Sequence, residues 1–342
     1  MFLKRVQLGL IHVAVAMTLV PINSTLNRVM IKELAISATV VAILASLPYL
    51  FSPIQVLIGS FSDRHPLLGR RRTPYIILGL LLCVLGVVFS PQAAFRLSTN
   101  WWSGVALGVL IFGAWGMGFN FAAVSYLSLA SELSGEKGRG KTIAVMWFMM
   151  IVGIILTAFG LSHLVEPYTS DALVRSFWII GIAALVVGVV GLIGLEGRSQ
   201  VGFSLESDTQ SWSMLIGAVL RNRQVTIFFW YLILLLAAIL GQDILLEPFA
   251  AEAFSLSVKE TTRITSLWGG CFLIALVVAG MLENRVGKRS VARWGAWIAL
   301  MGFIIIVISG FMHDIRLFYS GVILLGIGTG LATLSNLSLM LD

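Results

Sequence analysis

Charge is what this sequence has least of. Asp, Glu, Lys and Arg make up 11% of its 342 residues, against roughly 25% in an average soluble domain. So few charges cannot cover a water-facing surface, which excludes a soluble fold. Cysteine is nearly absent too. Cys83 and Cys271 both sit inside apolar runs, so they read as unpaired fillers rather than a disulfide framework, and they report nothing about redox compartment. The strings that mark soluble enzymes are also missing: there is no phosphate-binding loop, no Cys-x-x-Cys pair and no Asp-rich diphosphate site. An enzyme is therefore not expected, and neither is a metal centre. The glycine-rich stretch Gly113–Gly118 lies within an apolar run, where it reads as close helix packing.

Apolar residues fill the space that charge leaves. They account for 58% of the chain, and mean hydropathy is +0.97. The runs reach the ~20 residues needed to cross a hydrocarbon core of about 30 Å as a helix. Ten spans are expected, over 7–27, 37–61, 74–91, 103–131, 141–163, 175–195, 224–246, 263–282, 291–311 and 316–341. The first follows Lys4 and Arg5, yet Pro21, Asn23, Asn27 and Arg28 stand where a leader's small-residue cleavage site would be. It is read as a retained span. The longest polar segment, 196–223, reads as a linker between an N-terminal six-helix half (1–195) and a C-terminal half (224–342). Within it, Trp212–Leu220 could lie along the membrane surface or be an ordinary loop.

Of the 23 Lys and Arg residues, sixteen fall in the loops on the side of the N-terminus and linker, and seven on the other. The positive-inside rule makes the first side cytoplasmic. The net charge of +7 thus needs no nucleic acid to explain it; topology and contact with anionic lipid suffice.

An internal repeat is visible. Gly59-Ser-Phe-Ser-Asp63-Arg64 followed by Gly69-Arg70-Arg71-Arg72 matches Gly280-Met-Leu-Glu-Asn284-Arg285 followed by Gly287-Lys288-Arg289. Likewise Ser125-Tyr-Leu-Ser-Leu129 matches Ser335-Asn-Leu-Ser-Leu339, which places Asp342 opposite Glu132. The first half continues past Glu132 with two more spans and the second does not, so spans eleven and twelve are missing. The expectation is a truncated or incomplete chain, or a groove that something else fills. Spans three, six and nine are almost wholly apolar, whereas one, four, seven and ten carry the polar residues. Polar side chains face the bundle interior in lipid, so every third helix should face lipid. This layout resembles the major facilitator superfamily, and the basic loop after span two is similar to its best-known motif.

In that superfamily Asp63, Arg64, Gly69, Arg70, Arg71 and an acid such as Glu132 would form a charge-assisted gating network, with Asn284 and Arg285 as a weaker second copy. The other reading is a plain positive-inside loop. Asp243 and Glu247 stand one turn apart on span seven, with Gln242 beside them. They could carry a proton, ligate a metal centre or cap a helix at an aqueous boundary. Asn23, Asn27 and Arg28 form a matching cluster on span one that could pair with those acids. His12 is the one histidine inside an apolar run, and could ligate the magnesium of a chlorin or be a hydrogen-bonded interior histidine.

Three strings are more specific: Thr25-Leu-Asn27-Arg28-Val-Met-Ile-Lys-Glu33-Leu, Ser62-Asp63-Arg64-His65-Pro66-Leu-Leu-Gly69-Arg-Arg-Arg-Thr73-Pro74-Tyr75 and Gly241-Gln242-Asp243-Ile-Leu-Leu-Glu247-Pro248-Phe249. With them the chain resembles the PucC-like (bacteriochlorophyll delivery) family of the major facilitator superfamily. The resemblance implies an all-α, twelve-span fold with about ten spans present here. It implies an assembly factor for light-harvesting or reaction-centre complexes that binds or delivers chlorophyll or bacteriochlorophyll to nascent subunits. The pigment, those subunits and the lipid bilayer would be its partners, and its home a bacterial inner, intracytoplasmic or thylakoid membrane. The competing expectation is a proton-coupled secondary transporter of a small amphiphile, with Asp243 or Glu247 as the proton site.

Overall fold

The structure is a computed structural model that describes residues 2–67, 69–197 and 223–340. Trp212–Leu220 and Asp342 lie outside the described residues, as does most of the expected linker. The described elements are helices: α1 (Phe2–Glu33), α2 (Ala38–Ala45), α3 (Leu47–Leu50), α4 (Ile54–Arg64), α5 (Thr73–Thr99), α6 (Trp101–Gly135), α7 (Lys141–Leu164), α8 (Ser170–Leu192), α9 (Arg223–Phe254), α10 (Val258–Val286), α11 (Lys288–Met312) and α12 (Ile315–Met340).

Eight of these helices are long and apolar enough to cross a membrane, fewer than the ten expected. The largest departure lies in 37–61, where one span was expected and three short helices stand. Pro53 has no N–H to continue a helix, and the chain tightens there: Ser52 N donates to the Tyr49 carbonyl at 3.1 Å and Ile54 N to that of Phe51 at 2.9 Å. The Pro48 carbonyl is left over and is taken by a side chain of another helix, the Asn120 amide of α6, at 2.9 Å. The Gln55 amide in turn donates to Asn120 Oδ1 at 2.5 Å. α9 is likewise not among the eight; it is 32 residues long and carries Pro248 within it.

Helix α1 changes its winding halfway. Pro21–Leu26 and Val29–Glu33 are π-wound, a geometry frequent at functional sites because the extra residue per turn redirects side chains.

The internal repeat reappears as a glycine ladder. A Cβ on Gly79 of α5 would lie 2.5 Å from Ala122 N of α6, and one on Gly118 would lie 2.6 Å from Cys83 N. A Cβ on Gly295 of α11 would lie 2.5 Å from Ala332 N of α12, and one on Gly328 would lie 2.2 Å from Ala299 N. Only backbones that touch require this, and close approach through small residues is how helices associate in lipid. Gly116, inside the expected packing stretch, does the same for α3: a Cβ there would lie 2.9 Å from Pro48 N.

The interior of α1–α8 is filled by Trp115, Phe112, Phe177 and Leu26, and that of α10–α12 by Phe318, Leu325 and Ile264. Helices α5, α8 and α11 each expose an apolar stripe, such as Leu78, Leu81 and Leu85, or Ile182, Val186 and Val189, or Trp297, Met301 and Ile304. Exposure does not single out spans three, six and nine as expected: α5 is 61% buried across its apolar stretch, whereas α7 and α10 are as open as α11, each 28% buried.

Candidate functional site: a cavity beside Glu247 and an arginine clasp

Polar residues of the first and seventh spans meet at one cavity. The cavity, of about 110 Å³, is lined by Asn23 and Ser24 of α1, Tyr49 of α3, Gln242 and Glu247 of α9, and Thr265 and Trp268 of α10, together with Leu19, Val20, Ile154 and Leu246. The π-wound turn of α1 supplies the first two. Glu247 is buried, and Thr265 Oγ1 donates to its Oε1 at 2.5 Å. Of the expected cluster, Asn23, Gln242 and Glu247 are therefore brought together. Asn27 and Arg28 are buried on the same helix but do not line the cavity, and the side chain of Asp243 lies outside the described residues.

Above the cavity α1 is held to α9 and α10. Arg28 donates to Glu33 on its own helix and, at 3.0 Å, to the Leu256 carbonyl. Lys32 reaches Glu252 of α9 at 3.0 Å, and the hydroxyls of Thr25 and Thr262 are 2.9 Å apart. His163 Nε2 faces Arg263 at 3.1 Å, and Glu166 pairs with Lys259. The span-one cluster thus reaches across the molecule, but through Thr25, Arg28 and Lys32 to a hydroxyl, a carbonyl and Glu252, not to Glu247.

His12 stands apart from the cavity. It is 6% exposed, flanked by the rings of Tyr126 and Trp147 with centroids 5.0 and 5.7 Å away.

At the face that carries the N-terminus, the expected gating acid Glu132 is engaged, but by a different arginine. Arg72 Nε and Nη2 donate to Glu132 Oε1 at 3.0 and 2.8 Å, and its Nη1 donates to Ser62 at 2.7 Å. Arg72 is 5% exposed, whereas Arg64 is exposed. A turn brings it back: Leu67 and Arg70 exchange two backbone hydrogen bonds of 3.0 Å, and Gly69 takes a φ of 71°, where a Cβ would be strained. Its repeat counterpart Gly287 has a φ of 83°. Arg285 is exposed; the side chains of Asp63 and Asn284 lie outside the described residues.

Glu196 was read only as the start of the linker. Its carboxylate accepts from the backbone N–H groups of Arg71 at 2.9 Å, Arg72 at 3.0 Å and Thr73 at 2.6 Å, which are orphan donors at the start of α5. Burial alone would raise its pKa; the bonds from Thr73, Arg72 and Arg71 outweigh that and hold it below the ordinary 4.5.

Residues 25–342 match the family described as PUCC protein. The chain belongs to that family. Protein PucC of Rhodovulum sulfidophilum is 31% identical to it over 340 residues, covering 96% of this chain and 75% of that protein. Protein PucC of Cereibacter sphaeroides is 31% identical over 345 residues, covering 96% and 73%. A relative from Rhodobacter capsulatus, called the bacteriochlorophyll synthase 44.5 kDa chain, is 26% identical over 311 residues, covering 89% and 71%. Among solved structures, the nucleoside transporter NupG superposes with a TM-score of 0.74 at 12% identity, covering 97% of this chain and 81% of that one. A bacterial homologue of the lysosomal transporter Spinster gives 0.70 at 16%, covering 98% and 74%. At such identities they establish the fold: this PUCC-family chain is an integral membrane protein of the major facilitator type.

Proposed function

We propose that this PUCC-family chain is a non-enzymatic assembly factor for photosynthetic light-harvesting or reaction-centre complexes, one that binds or delivers (bacterio)chlorophyll to nascent subunits. The family match over residues 25–342 carries the reading, and the name of the bacteriochlorophyll synthase chain among the relatives supports the pigment. The N-terminus and central linker are cytoplasmic in this reading, on the strength of the sixteen basic residues on that side, so the clasp of Arg28, Lys32 and Thr25 closes the outer side. The repeated glycine ladder supports a chain organised as two related halves joined at 196–223. The membrane is a bacterial inner, intracytoplasmic or thylakoid membrane.

The cavity is not where the macrocycle fits. Its volume of about 110 Å³ is well below the ~300–1,000 Å³ of ordinary organic-ligand sites. His12 is 6% exposed between Tyr126 and Trp147, which leaves little room beside it for a chlorin. In the assembly reading, pigment meets the chain from the lipid side, as a membrane-soluble prenylated tetrapyrrole can.

A second reading, a proton-coupled transporter of a small amphiphile, is favoured by one observation: a buried carboxyl, Glu247, faces the cavity between the halves. Purification of the tagged protein from its phototrophic host separates the two. Chlorin absorption bands and co-purifying antenna or reaction-centre subunits, identified by mass spectrometry, are expected for assembly. A colourless, solitary protein that drives pH-gradient-dependent flux in proteoliposomes overturns it.

A further inference from the structure

Five polar atoms around the cavity are buried without a hydrogen-bond partner: Asn23 Oδ1, Ser24 Oγ, Gln242 Oε1, Glu247 Oε2 and Trp268 Nε1. Buried polar groups are nearly always bonded, and leaving one unpaired in a low-dielectric interior is costly. Five around one small volume point to an occupant. Four of the five are oxygens, and the carboxylate and two amide oxygens can only accept. The occupant must therefore present positive charge or hydrogen-bond donors. A volume of about 110 Å³ leaves out most organic molecules.

Charge balance narrows the choice. Glu247 can hold a cation only as the ionised carboxylate, which brings one negative charge; its Oε1 is committed to Thr265 while Oε2 is open. A monovalent ion cancels that charge; a divalent one would leave a buried excess. Hard cations take oxygen ligands, and carboxylate, amide and hydroxyl oxygens stand here together. Arg28 on α1 is itself paired with Glu33 and donates to the Leu256 carbonyl. We propose that the cavity is a binding site for one monovalent metal cation of sodium's kind. Glu247 Oε2 and the oxygens of Asn23, Ser24 and Gln242 are its ligands, and the Trp268 N–H serves a water of the ion. Because the ligands come from α1 and α9, an occupied site ties the two helix sets together.

The inference does not rest on the assembly reading, since it requires neither pigment nor partner. The test is equilibrium binding of radioactive sodium to the purified full chain in detergent, with choline chloride holding ionic strength constant. Saturable binding near one ion per chain is expected. It should vanish in Glu247→Gln and weaken about tenfold in Asn23→Ala, as loss of one neutral ligand costs, with both variants eluting at the wild-type position. Absence of saturable binding by the wild type overturns the proposal whatever the variants do. So does binding that Glu247→Gln leaves unchanged.

Discussion

Three consecutive arginines follow Gly69, and the structure distinguishes sharply between them. Arg72 is buried and forks onto Glu132 while touching Ser62; Arg71 gives its backbone N–H to Glu196. Sequence spacing could mark the cluster but not the inward member, because the choice depends on where the turn at Gly69 ends and α5 begins. Truncating Arg72 to Ala strands Ser62 and Glu132 together, and should lower stability by about 1–3 kcal/mol. The lower end is expected because Glu132 is 39% exposed. Arg64→Ala, on an exposed side chain, should change it by less than about 0.5 kcal/mol. Thermal melts in detergent read both. Arg72→Lys should recover only part of the loss, since an ammonium cannot reproduce the fork.

Glu196 makes a prediction in pH. Its pKa lies below the ordinary carboxylate value in the folded protein, so the unfolded chain binds a proton more readily. That stabilisation is fully present above the ordinary 4.5 and is lost as pH falls through the lower folded value. Melting temperature measured from neutral down into this acid window should fall more steeply for wild type than for Glu196→Gln. Equal slopes would remove Glu196 as a charged cap of α5.

At the scale of helices, apolar runs made most elements legible, and the glycine ladder explains why their spacing is so tight. Gly113–Gly118 was readable as packing because glycines crowd there. Gly79 and Gly295 were not, because a lone glycine in an apolar run gives no sign of what crosses it; Gly328 stands in the crowded Gly326-Ile-Gly328-Thr-Gly330 and carried the same signal unused. The break in the second span was hidden for a similar reason: Pro48 and Pro53 were visible, but the Asn120 amide that repairs the exposed Pro48 carbonyl comes from seventy-two residues away. The ladder can be tested position by position. Gly328→Ala places a Cβ 2.2 Å from Ala299 N, an overpacking that should cost about 1–3 kcal/mol. Gly160→Ala, on α7 where a Cβ meets nothing within 4 Å, should instead stabilise by roughly 0.5–1 kcal/mol through helix propensity. Melts that shift alike would show that the α11–α12 contact is not as close as the backbone geometry requires.

At the scale of the molecule, α1 meets α9 and α10 through a few polar bonds set beside an apolar cluster that holds Leu26, Val29, Met30 and Val258 together. Arg28 on the Leu256 carbonyl, Lys32 on Glu252 and Thr25 on Thr262 are polar, few and set at one end of the bundle. The glycine-packed pairs within each set differ, because there the backbones touch. An opening of this clasp would rock the two helix sets about the cavity, the kind of rigid-body motion by which one face closes as the other opens. Thr25 and Thr262 offer a way to hold it shut. Their hydroxyls are 2.9 Å apart, so cysteines at both positions fall within reach of a disulfide. In a background with Cys83 and Cys271 replaced, oxidation of the Thr25→Cys, Thr262→Cys pair should cross-link the two sets, seen as two halves expressed as separate chains that run together on a non-reducing gel. If the clasp must open for the protein to act, the oxidised form should lose pigment or subunit binding and regain it on reduction. Cross-linking with binding untouched would show that the closed arrangement is itself the working one.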